Sequence, residues 1–159
     1  MAAHDTFMTT IELLRKQAPA LAQKIEGFRE WELRKVAAVI AEAAVRRTGL
    51  SDPVINEALG KLKAFPAPDA ELEARVQAVA EELDEKYFTL KEPLEEREDA
   101  GNTDPAVMLA FSKARAASAM ASALADNSDN AVARAAYEAF HAIGDVDYLI
   151  EALGRAFET

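Results

Sequence analysis

The chain has 159 residues, half of them apolar, with a formal net charge of −10 and no cysteine. That length buries one core and makes one domain, and the apolar half excludes general disorder. The lack of cysteine excludes a disulfide framework and thiolate chemistry. The acidic balance argues against nucleic acid and anionic lipid, which reward clustered Lys and Arg.

No apolar run approaches the roughly 18 residues of a membrane-spanning helix. Residues 1–10 lack the basic start and apolar centre of a signal peptide. A cytoplasmic location and no membrane contact are therefore expected. Charge is unevenly spread: residues 1–68 are net +2, residues 69–104 net −9 and residues 105–159 net −3. The excess sits on one helix and the loop after it, which suits a basic protein partner.

Residues 5–27 read as helix. Thr9 followed by Glu12 matches a capping box, and Ile11, Leu14, Ala18, Leu21 and Ile25 recur at helical spacing. Pro19 falls inside and predicts a kink or two short helices. Residues 29–48 form the next helix, with Leu33, Val36, Ala37, Ile40, Ala43 and Ala44 inward and the pairs Glu30/Arg34 and Glu42/Arg46 at i,i+4. Gly49 supplies a left-handed cap. Ser51, Asp52 and Pro53 start a third helix whose apolar side is Val54, Ile55, Ala58, Leu59, Leu62 and Phe65.

The longest helix is expected over about residues 69–92. Leu72, Val76, Val79, Leu83, Tyr87, Leu90 and Leu94 are spaced three or four apart and share one face. Asp69 is its cap, and Pro93 predicts a stop or kink near Lys91. Glu81, Glu82, Asp84 and Glu85 fall on the face away from the stripe. Residues 98–104 read as a loop, and Thr103 or Asp104 caps the next helix ahead of Pro105.

Residues 105–159 hold 17 alanines. Ala110, Ala114, Ala117 and Ala121 form one smooth ridge, and Leu109, Ala116, Met120 and Leu124 form another. Small ridges let helix axes approach to the low end of the about 8–10 Å range, so this helix is expected at the centre. After a turn at 126–129, Val132, Ala136, Phe140 and Ile143 stripe the next helix, which Gly144 ends. Asp145 or Asp147 starts the last, with Tyr148, Leu149, Leu153 and Phe157. The fold expected is all-α: one bundle of six or seven helices.

Two blocks carry a family resemblance. IEGFREWELRKVAAVIAE (residues 25–42) and the alanine-rich PAVMLAFSKARAASAMASAL (105–124) together cover about a quarter of the chain. They are similar to the YjaG-like proteins, an all-helical bacterial family, although this chain is short for it. The resemblance implies a compact helical bundle and brings no activity or site residue with it.

Chemistry-bearing patterns are few. Glu138-x-x-His141 has the i,i+3 spacing of carboxylate-bridged di-metal bundles, but those use two such motifs and the only other histidine is His4. A histidine packed beside Phe140 is the simpler reading. Ser112, Ser118 and Ser122 lie on the alanine helix with no Gly-x-Ser-x-Gly elbow, and no glycine-rich phosphate loop occurs. Glu95 and Glu96 belong to a charge run and read as solvated. No catalytic residue and no cofactor are expected.

Trp31, the single tryptophan, stands among Arg29, Glu30, Glu32, Arg34 and Lys35. It either closes the end of the core beside Phe28 or anchors an interface. The partner-binding candidates are thus Trp31, Glu81, Glu82, Asp84 and Glu85. The leading expectation is a non-enzymatic protein-interaction or regulatory domain, with a homodimer through the small-residue helices as one form of it. The alternatives are an immunity-type inhibitor capping a basic toxin through the acidic helix, and a metal-binding bundle using Glu138 and His141. Composition does not fix helix spacing, so an apolar small-molecule pocket is left open.

Overall fold

The structure, a computed structural model, describes residues 9–95 and 104–157, apart from the side chains of Leu94, Glu95 and Ser128. The loop expected at 98–104, with Thr103, Glu96 and His4, lies outside them except for Asp104. Among the described residues there are eight α-helices and no strand: α1 (Thr10–Gln17), α2 (Pro19–Glu26), α3 (Leu33–Thr48), α4 (Pro53–Ala64), α5 (Ala70–Glu95), α6 (Pro105–Ala123), α7 (Ser128–Ile143) and α8 (Val146–Ala156). The all-α expectation holds; the count of six or seven does not.

The extra helix comes from Pro19. A proline disfavours helical backbone at the residue before it, and Ala18 leaves the helical region at φ −141°, ψ 67°. The first stretch therefore splits into α1 and α2. A second difference lies at Pro93, which sits inside α5 instead of ending it. Proline in the last turn removes only the bond to the Thr89 carbonyl, and Thr89 is exposed, so water can take that acceptor. A third is at residues 30–32, where Glu30–Glu32 form a 3₁₀ turn and regular helix begins only at Leu33. The turn expected at 126–129 is likewise shorter, because α7 already starts at Ser128.

Side chains that accept from free backbone amides open most of the helices. Asp52 takes Val54 N at 2.8 Å, Asp69 takes Leu72 N at 3.0 Å, and Asp104 takes Ala106 N at 2.9 Å. Asn127 and Asp145 do the same for α7 and α8. Thr9 caps α1, with the Glu12 carboxylate accepting from the Thr9 hydroxyl. Gly49 and Gly144 close α3 and α7 at φ 71° and 74°, where a Cβ would be strained.

Helix α6 is the hub: α5, α7 and α3 all pack on it, and α3 also packs on α7. Ala110, Ala114, Ala117 and Ala121 are buried, as are Ala116, Met120 and Leu124, so both ridges are covered within one chain. Leu109, assigned to the second ridge, is exposed instead: in the first turns of α6 only the side carrying Val107 and Ala110 is covered, and Met108 and Leu109 face away from it. Helices α5 and α6 run antiparallel, pinned where Asp69 N donates to the Leu124 carbonyl at 3.0 Å. Along α5, Leu72, Val76 and Val79 are buried, Leu83 and Tyr87 half-buried, and Leu90 exposed, so the stripe emerges from the core toward its C-terminal end.

The pair Glu42/Arg46 forms at 2.7 Å, but Glu30/Arg34 does not. Arg34 instead reaches past the end of α6, donating to the Ala125 and Asp126 carbonyls, where a cation suits the helix dipole. Phe65 was expected to face the core and is 73% exposed. It terminates α4 in extended backbone, which turns it off the helix's apolar face.

Two substitutions test the hub from opposite sides. Met120→Ala should cost about 2–5 kcal/mol by leaving a cavity. Ala117→Leu should cost about 1–3 kcal/mol by overfilling the ridge. Urea unfolding followed by helical circular dichroism measures both.

Candidate functional site

The face built by α5, α6 and α7 gathers most of the residues singled out above. Its centre is Arg115, a long cation in the alanine run of α6. With small neighbours around it, its guanidinium reaches both flanking helices. Nη2 holds Asp84 of α5 at 2.9 and 3.0 Å, and Nη1 holds Glu138 of α7 at 2.7 Å. Arg115 Nε is buried and without a hydrogen-bond partner. A polar cavity of about 450 Å³ opens beside this group, lined also by Gln77, Ser118, Arg134 and Tyr137.

Burial raises the Glu138 carboxyl above its ordinary value, and the Arg115 charge offsets this only in part. Burial, then the Arg115 charge, lowers the His141 imidazole. Its Nε2 lies 2.9 Å from Gln17 Oε1, and its ring packs against Tyr137 and Phe140. Glu138 and His141 are thus engaged by different partners, and among the described residues no three His, Asp or Glu side chains converge on one point. The metal-bundle reading finds no second ligand pair there. Ser122 donates to the Ser118 carbonyl, the ordinary habit of a helix serine.

Toward the far end of α5 the face turns apolar. The Tyr87 ring lies 5.3 Å from Phe111 and 5.1 Å from Phe88. Tyr87, Met108, Phe111 and Ile143 line a groove of about 350 Å³ between α5, α6 and α7. Phe88 is 59% exposed and Met108 55%.

The acidic set needs one correction. Glu81, Glu82 and Glu85 are exposed as expected, whereas Asp84 is half-buried against Arg115. The register explains it: Asp84 is four residues after buried Ala80 and three before Tyr87, so it belongs to the packed side. The outward row reads Glu81, Glu85, Phe88 and Glu92, at spacing four, three and four, and all four are exposed.

Trp31 does not close the core. It projects from the 3₁₀ turn at 77% exposure, and Phe28 takes the closing place against Phe157, with centroids 4.6 Å apart. The residue-level reading missed Arg115. The available signal was a cation mid-helix among buried-type alanines, a position that demands an opposite charge from a neighbour.

Compared with models of protein families, with curated proteins and with solved structures, the chain matches none.

Removing Arg115 leaves two carboxylates facing each other. Arg115→Met is expected to destabilise by about 1–3 kcal/mol, below the fully buried range because the cluster is partly solvated. Adding Asp84→Asn and Glu138→Gln should recover most of the loss in a urea titration. The two shifted groups act in opposite senses. The His141 contribution is complete above about pH 6.5 and lost as pH falls through the depressed folded value. The Glu138 contribution is complete below about pH 4.3 and lost as pH rises through the elevated folded value. His141→Gln should therefore lose less Tm than the wild type on acidification from about pH 7 to 5. Glu138→Gln should lose less on raising the pH from about 4 to 7.

Proposed function

We propose that the protein is a non-enzymatic interaction domain that presents the outward face of α5 to a basic protein. The observation that carries this reading is the row Glu81, Glu85, Phe88, Glu92, in which an exposed aromatic side chain stands between carboxylates on one helix face. Phe88 is 59% exposed, so a partner that covers it recovers part of the roughly 1.5–3 kcal/mol that full burial of such a ring gives. The surrounding carboxylates select for Lys and Arg on that partner and speed its encounter.

A second copy of the chain fits this face poorly. A twofold contact through α5 would set like charges opposite one another. The alanine ridges considered for a homodimer are already covered by α3, α5 and α7. An immunity-type inhibitor of a basic toxin is one specific form of the same reading, since it needs an acidic, preformed face of this kind. Trp31, on a separate element, is a second exposed anchor.

A photoreactive phenylalanine analogue at position 88 tests the proposal in the native host. The expected product is a crosslink to a Lys- and Arg-rich protein. Its association with the unmodified chain should slow on the order of tenfold between low and physiological salt. Glu81→Lys with Glu82→Lys and Glu85→Lys should abolish binding while the helical spectrum is kept. A crosslink to an acidic protein, or to another copy of this chain, overturns the reading.

A further inference from the structure

A different part of the molecule holds an apolar cavity with a cationic rim. A pocket of about 240 Å³ lies between helices α3 and α4, over Ala38 and Val39. Its walls are Ala38, Val39, Leu59, Leu62 and Pro66, with Ala156 of α8 at one side. The small side chain at position 38 leaves the space open. Phe65, one residue before Pro66, does not fill it and stays in solvent.

The rim carries Lys35 and Lys63 against a single acid, Glu42. Lys35 is held in place, with Nζ 3.1 Å from the Ala156 carbonyl and 4.7 Å from the centre of the Phe157 ring. Lys63 is only loosely paired, 3.6 Å from Glu42. Glu42 has a closer partner in Arg46 at 2.7 Å, so it stays neutralised when Lys63 turns away. Lys63 is therefore the cation that can be given to a ligand at little cost.

We infer that this pocket binds a small amphipathic monocarboxylate, its apolar body between α3 and α4 and its carboxylate on Lys63. The volume equals that of about eight liquid waters, which suits one ring or a short alkyl chain. Lys35 adds a fixed positive charge nearby, and burying the apolar body supplies the rest of the affinity. This site is independent of the α5 face, so either can fail without the other.

Hexanoate is the probe, titrated into methyl-labelled protein and followed by NMR at Val39, Leu59 and Leu62. Hexanol and hexylamine are the controls. Hexanoate should shift those methyls saturably, and hexanol should bind at least about tenfold more weakly for want of the charge-assisted bond. Lys63→Glu should reduce hexanoate to the hexanol level and leave hexanol unchanged. Ala38→Phe should fill the pocket and remove both; if that variant does not fold, the exposed Lys63→Glu decides alone. No saturable shift up to the solubility limit overturns the inference. So does hexanol or hexylamine binding as tightly as hexanoate, or hexanoate binding that Lys63→Glu leaves intact.

Discussion

Three helices can rest on α6 only because its side chains are short. Alanine at positions 110, 114, 117 and 121 lets neighbouring backbones come close, and dispersion contacts then accumulate along whole helices instead of at a few large residues. On α6 itself Met120 is the one long apolar side chain that is fully buried; most of the others, such as Leu14, Leu21, Ile40, Leu149 and Leu153, come from the other helices. Arg115 exploits the same tight geometry. Because α5 and α7 both lie within reach of one guanidinium, a single cation can bridge Asp84 and Glu138.

That arrangement separates two kinds of surface. Where the stripe of α5 leaves the core, the Tyr87 and Phe111 rings remain in tilted contact but Phe88, Leu90 and Met108 face water. On the packed side of α5, Asp84 is paired with Arg115. The outward side has Lys86 as its one exposed base between positions 81 and 92, against four exposed glutamates. Charge and exposed aromatic surface thus coincide on the proposed binding face.

Much of this was legible in the residues. Helix type, the Asp caps, Gly49, Gly144 and the centrality of α6 all follow from local chemistry, which spacing and turn residues report directly. The less legible features depend on what a neighbouring helix supplies. Asp84 reads as outward beside Glu85 until Arg115 is seen across the interface. Trp31 reads as a core plug or an interface anchor until Phe28 and Phe157 take the core place. Arg34 pairs on paper with Glu30 and in space with carbonyls some ninety residues away. The pocket under Lys63 is invisible in sequence because it is made by the spacing of α3 and α4, which no periodicity encodes.

The C-terminal end of α5 carries several weaknesses at once. Pro93 deletes a ladder bond, Glu92 sets a negative charge against the negative pole of the helix, and the last turn has no base. This segment should be the first part of α5 to fray, and its opening would loosen the platform under Phe88. A cationic visitor docking there would therefore do more than cover a surface: it would firm up the helix that receives it.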